Sequence, residues 1–167
     1  MTNPAVPFAP PLRIRPMQTG DIPRVKEIAD SLDHAPHWPI EAYQAALNPL
    51  SEPRRITLVA ETVEPGAPIS GAVVGFVVAS LVAGEAELES IAVAPEGQRQ
   101  GTATELLSQL FAHLKGLAVA RVHLEVRSSN RPASGLYGRH GFRREGRRAG
   151  YYADPVEDAE LLSLDLI

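Results

Sequence analysis

The chain has 167 residues, 44% of them hydrophobic and 22% charged, with a formal net charge of −4 and no cysteine. That length fits one domain with a real core, and the acidic balance argues against a broad nucleic-acid-binding face. Without cysteine, disulfides, thiolate metal sites and a covalent cysteine intermediate are excluded, and the composition fits a cytoplasmic protein.

The opening stretch, MTNPAVPFAPPLRIRP, carries neither a basic n-region nor an apolar h-region, so no signal peptide is read there. Its prolines predict an extended, mobile tail over residues 1–11, ahead of a single domain over 12–167. LRIRPM (Leu12–Met17) alternates as a first strand. TGDIPRVKEIADSL then sets Ile22, Val25, Ile28, Ala29 and Leu32 on one helical face, with Thr19 or Asp21 as cap and Pro23 in the first turn. IEAYQAALNPL reads as a shorter helix stopped by Pro49. RITLVAE, GAVVGFVVASLVA and AELESIAVA follow as three strands. The longest apolar run, Gly71 to Gly84, falls short of the roughly 20 residues of a membrane span and reads as a buried strand. Thr102 to Lys115 forms a helix with Ala103, Leu106, Leu107, Leu110, Phe111 and Leu114 inward. ARVHLEVR is a further strand, Pro132 to His140 a short helix, and FRREGRRAGYY and AELLSLDL close the chain as strands. There is no repeat, and the order of elements predicts a three-layer α/β (mixed α+β) domain.

The turn between AELESIAVA and the long helix decides more than its neighbours do. It contains no G-x-x-x-x-G-K-[ST] and no G-x-G-x-x-G, so neither familiar nucleotide loop applies. Gln98-Arg99-Gln100-Gly101-Thr102-Ala103 instead opens a helix, whose unpaired amide donors and positive dipole end suit a phosphate. Gly101 permits close backbone approach, Ala103 leaves room beyond it, and Arg99 adds positive charge. By pattern alone, a plain strand-to-helix turn fits as well.

Other residues also carry two readings. In ARVHLEVR, Val122, Leu124 and Val126 share one face, and Arg121, His123, Glu125 and Arg127 the other. Pattern alone makes Glu125 a solvated or ion-paired glutamate, Tyr137 a core-edge aromatic and Asn130 a helix cap before Pro132. Glu87 and Glu89 alternate onto the strand face of Ile91. His34 and His37 have helical ligand spacing, but Pro36 breaks the helix and no carboxylate pattern completes a site, so no metal is expected. Arg143 to Arg148, RREGRR, reads as a solvated hairpin.

The spacing Q/R-x-x-G-x-G/A is the pyrophosphate motif of the GCN5-related N-acetyltransferases, and QRQGTA fits it. LEVRSSNRPASGLYGRHGF resembles that superfamily's next strand, its asparagine and its LY…GF helix, so that the likeness runs from about Arg13 to the C-terminus. With HAPHW, ELESIAVAPEGQRQG, RRAGYY and EDA added, the chain resembles the bacterial ribosomal-protein-alanine N-acetyltransferases, which acetylate the N-terminal alanine of a small-subunit ribosomal protein. The extra N-terminal tail, PIEAY after Trp38 and the basic RREGRR depart from that pattern, mostly on the acceptor side.

The resemblance implies a mostly antiparallel central sheet with helices on both faces, and acetyl-CoA as acyl donor. Donor contacts fall to Arg99, Gln100, Gly101, Thr102, Ala103 and Thr104 at the pyrophosphate, to the backbone of Ile91, Ala92 and Val93 along the pantetheine arm, and to Asn130. Glu125 matches the general base, with Glu89 in reserve, and Tyr137 the general acid of a direct transfer. By their own pattern, Glu87 and Glu89 could line the amine pocket, Trp38 reads as packing or as part of the substrate wall, and Tyr151 and Tyr152 either bracket the incoming peptide or cover the sheet. The implied partner is the N-terminal peptide of a ribosomal protein, with no membrane, DNA or RNA partner, although RREGRR could meet RNA or the 3′-phosphate of coenzyme A. Two alternatives remain open: a small amine or lysine side chain as acceptor, and a non-catalytic acyl-CoA-binding or RNA-associated module.

Overall fold

The most apolar run of the chain lies in the middle of a seven-stranded sheet in a computed structural model that describes residues 10–64, 66 and 71–167. The strands are β1 (Leu12–Pro16), β2 (Arg54–Thr62), β3 (Val73–Val82), β4 (Glu85–Val93), β5 (Arg121–Arg127), β6 (Arg143–Ala153) and β7 (Val156–Asp165). Their spatial order is β1-β2-β3-β4-β5-β7-β6, and every pairing is antiparallel except β4 with β5. The helices are α1 (Ile22–Asp30), α2 (Ile40–Leu47), α3 (Thr102–Gly116) and α4 (Arg131–Arg139). No helix among the described residues is long and apolar enough to cross a membrane. Most of the proline-rich opening, residues 1–9, lies outside the described residues.

Two cores make the layers. Val25, Ile28 and Ala29 of α1 and Tyr43 of α2 pack on Phe76 and Val78 of β3. Leu106, Leu107, Leu110 and Leu114 of α3 recur at helical spacing and pack on the opposite face with Val77, Ala79, Val122 and Leu124. β3 is buried on both faces for most of its length, which is why it reads as a continuous apolar run rather than an alternating one. Leu32 lies beyond the end of α1, only partly buried. Asp21 sits at the expected cap position without capping α1. Its carboxylate instead accepts from the Gln18 amide and both terminal nitrogens of Arg15, at 2.8–2.9 Å. That guanidinium, the largest influence on it, holds Asp21 below the usual carboxylate range.

The feature that shapes the site is where the sheet comes apart. β4 and β5 pair at Glu85–Arg121, Ala86–Val122 and Glu87–His123, and no further. A register shift against β3 sets Val78 opposite Ser90 but Ala79 opposite Leu88, so Glu89 is the extra residue of a bulge. A bulge bends its strand, and β4 leaves β5 at this point. β5 meanwhile stays paired with β7 along its full length. A wedge therefore opens between Leu88–Val93 and Leu124–Arg127. The bulge also corrects the simple alternation: Ile91 and Val93 join Ala86 and Leu88 on the α3 face, leaving Glu87 and Glu89 on the other side.

Candidate active site

The β4 side of the wedge is built from backbone. The Ala94 amide donates to the Val74 carbonyl of β3 at 2.8 Å. Strand alternation then turns the Ala92 amide toward β3 and those of Ile91 and Val93 into the wedge. Of the three amides expected along the donor arm, two face the gap. Beyond β4 the chain makes a 3-10 turn over Pro95–Gly97 and enters α3 through Gly101, whose φ is +80°. Arg99, at φ 59°, also adopts the left-handed conformation that side chains disfavour.

Side chains hold this turn from within. Gln98 Nε2 donates to the Val93 carbonyl at 3.0 Å and Gln100 Nε2 to Glu96 at 3.1 Å. Thr102 Oγ1, buried, donates to the Gly97 carbonyl at 2.9 Å, and Arg24 of α1 pairs with Glu96. Among the described residues, none of the amides from Arg99 to Thr104 has a protein acceptor. A side chain at Gly101 would meet no protein atom within 4 Å, so it would project into open space over these donors. Free amides at the positive end of a long helix are the chemistry a pyrophosphate requires, and the residues fit the acyl donor.

The rest of the candidate site is built from charged side chains. Glu125 lies on the β5 face opposite α3, as the alternation predicts, while Val122, Leu124 and Val126 are buried on the other face. Its carboxylate is 3.0 Å from Arg148 Nη1, with the glutamate side chain 21% exposed and the arginine 56%. Glu87 is pushed up first by burial and then by the charges of Glu89 and Glu125. Glu89 does not stand free: Arg55 clasps it with two nitrogens at 2.7 and 3.2 Å. That guanidinium lies 5.9 Å from the Trp38 ring, which packs on Tyr43 at 5.4 Å. Glu89 is thereby a partner of Arg55, a poor arrangement for a reserve base.

Tyr137 of α4 is 6% exposed and packs edge-on against Phe142 at 5.5 Å. Burial, and secondarily Tyr152, raises its phenol pKa, so it keeps its proton at neutral pH. Tyr152 in turn is raised by burial and then by Glu125, and Arg127 stacks on its ring at 4.1 Å. Tyr151, nearly half exposed, meets Tyr152 edge-on at 5.0 Å, and its phenol is raised chiefly by the neighbouring Glu125 carboxylate. Asn130 caps α4, its Oδ1 accepting from the Ala133 amide at 3.2 Å, so only its side-chain NH₂ is left to meet a donor.

The remaining expectations resolve by geometry. The hairpin arginines are not simply solvated. Arg143 pairs with Asp165, Arg144 with Glu160, and Arg147 with Asp158 and Glu160. His37 Nε2 lies 3.0 Å from the Leu32 carbonyl. No group of three potential metal ligands occurs among the described residues. Arg55 and Arg148 were not foreseen as parts of the site. Each meets its glutamate across strands far apart in sequence, and no local spacing signals such a contact.

Comparison with known proteins gives this geometry its context. The acetyltransferase (GNAT) family model matches residues 24–142. The chain is 39% identical over 99 residues to the ribosomal protein bS18-alanine N-acetyltransferase of Escherichia coli (strain K12), spanning 58% of this chain and 67% of that one. It is 32% identical over 149 residues to a Bacillus subtilis (strain 168) protein given the same name provisionally, spanning 89% and 92%. The crystal structure of the Escherichia coli ribosomal-protein-S18-alanine N-acetyltransferase superposes with a TM-score of 0.76 at 30% identity, covering 93% of this chain and 94% of that one. The wedge, the amide-lined helix entrance and these likenesses agree: the chain belongs to the acetyltransferase (GNAT) family and is an acetyl-CoA-dependent N-acetyltransferase.

Proposed function

We propose that this enzyme acetylates the α-amine of an N-terminal alanine on a ribosomal protein, with Glu125 as base and Tyr137 as acid. The observation that carries the reading is convergence on one wedge. Amide donors line its β4 side and Glu125 stands on β5 across the gap, which supports the reading, while Tyr137 is buried against Phe142 with its proton retained. The relatives' activity supplies the acceptor class, and the anionic set of Glu87, Glu89 and Glu125 suits a cationic peptide end.

Acetyl-CoA supplies an acetyl group activated as a thioester. Arg99, Gln100, Gly101, Thr102, Ala103 and Thr104 would hold its pyrophosphate through their amides, with Asn130 contributing its side-chain NH₂. The Ile91 and Val93 amides would pair with the pantetheine arm and polarise the thioester carbonyl. With a reference pKa near 8, roughly a tenth of the incoming α-amine is already neutral at pH 7, and Glu125 takes up the proton the amine sheds as it attacks. Tyr137 holds the proton that the departing sulfur needs. Trp38, Glu87, Glu89, Tyr151 and Tyr152 would line the acceptor's path. The chain has no cysteine, which favours direct transfer over a thiol-bound acetyl-enzyme.

A panel of peptides read by mass spectrometry tests this. An alanine-initiated peptide gains one acetyl group on its α-amine. Lysine side chains, with a reference pKa of about 10.4, react poorly at neutral pH. Acetylation confined to lysine side chains or small amines would keep the enzyme class and overturn the acceptor.

A further inference from the structure

We propose that Arg148 is a resident cation standing where the acceptor's ammonium docks on Glu125, making the base available only to an acceptor that brings its own positive charge. The inference rests on the reading of Glu125 as base. The Arg148 contact is unlike those of the other arginines of its stretch. Arg143, Arg144 and Arg147 take partners on β7, the strand beside their own. Arg148 reaches past β7 altogether to Glu125 on β5, roughly 10 Å away as two strand spacings. It can do so because its partner on β7 is Ala159, whose methyl group leaves the crossing open. Arg127, the β5 residue in line with Ala159, is engaged elsewhere, stacked on Tyr152 and 3.5 Å from Glu157.

The contact is also built to release. Arg148 is the last regular rung of the β6–β7 ladder before a bulge, the next pair being Tyr152 with Glu157. Gly150, at φ 58°, lies inside that bulge with its amide held by Asp158 at 2.9 Å. The guanidinium rests 5.3 Å from the Tyr151 ring and is more than half exposed, so it can swing into water. Glu125, mostly buried, has no such freedom. An ammonium offers Glu125 the same charge and the same hydrogen bond, so it can replace Arg148. Water cannot, because it would leave the buried carboxylate without a cation. Arg148 therefore also guards against hydrolysis, in which water oxygen bonds the acetyl carbon, the C–S bond breaks, Glu125 accepts the water proton and the sulfur leaves protonated as coenzyme A with acetate.

Three measurements on Arg148→Gln and Arg148→Lys test the assignment, in protein whose circular dichroism and acetyl-CoA affinity match the unaltered chain. In Arg148→Gln the KM for an alanine-initiated peptide falls about two- to fivefold, the range of an exposed ion pair. Calorimetry shows the same gain for the free-amine peptide and none for its N-acetylated form, which carries no terminal cation. Coenzyme A release without acceptor rises in Arg148→Gln and stays low in Arg148→Lys. An unchanged or raised KM together with unchanged acceptor-free release overturns the proposal. Full turnover in Glu125→Gln would instead overturn the base itself, a separate outcome read from a separate variant.

Discussion

The donor and acceptor sides of the wedge are made of different material. The donor side consists of backbone amides at a strand edge and a helix entrance, fixed by a turn in which two left-handed conformations, at Arg99 and Gly101, are held by glutamine and threonine side chains. The acceptor side consists of carboxylates and guanidinium groups drawn from β2, β4, β5 and β6. Backbone sites depend on conformation, and few residues can supply it. Side-chain sites depend on pairing, and many residues can be exchanged without disturbing the fold. A family can therefore keep its donor while changing its acceptor, because the two are specified by separable features.

Substitutions on each side should separate cleanly. The largest effect is expected at Glu125. Glu125→Gln should lower turnover by roughly 10²–10⁴-fold, the contribution of general acid–base catalysis, while calorimetric affinity for acetyl-CoA stays unchanged. Retained turnover there, with activity lost in Glu89→Gln, would move the base to the residue that Arg55 clasps. Gly101→Val is next and has the opposite signature. A branched residue forced to positive φ, with its side chain over the amide donors, should weaken acetyl-CoA binding by about tenfold or more. Saturating donor should restore turnover. Unchanged affinity in the folded variant would remove this turn from the donor site. The smallest effect is expected at Glu87. Glu87→Gln should raise the KM for peptides with arginine after the first residue by about two- to fivefold, and the difference should fade with added salt. Equal losses for neutral and basic peptides would show that Glu87 shapes the site without selecting charge.

The same division explains what the sequence discloses. Strand and helix placement follows from periodicity almost throughout, from the apolar run of β3 to the leucines of α3. The proposed donor turn is legible through its resemblance to the family motif, whose requirements are local: a glycine, a small residue and a helix start within six positions. Glu125 is legible as a polar-face residue, but its surroundings are not. Strict alternation placed Glu87, Glu89 and Ile91 on one face, and a single extra residue at Glu89 undoes that. Bulges carry little local signature, because they answer to the partner strand. Asp21 looked like a cap by position, and Arg15 at the end of β1 claims it. Arg148 lay hidden in a basic stretch whose members look alike in sequence and differ only in what lies across the sheet.

The short parallel seam between β4 and β5 has a mechanical consequence. The four strands from β1 to β4 and the three from β5 to β6 are stitched together by three residue pairs at one end of the sheet. Such a sheet resembles a book held at the foot of its spine, its leaves joined elsewhere by the α3 core rather than by strand pairing. An arm laid against the Ile91 and Val93 amides acts as additional stitching, so the acyl donor becomes part of what fastens the two leaves. Amide hydrogens along the free edge of β4 should then exchange readily in the empty enzyme and slowly once donor is bound. The acceptor would meet a groove whose width the donor has already set.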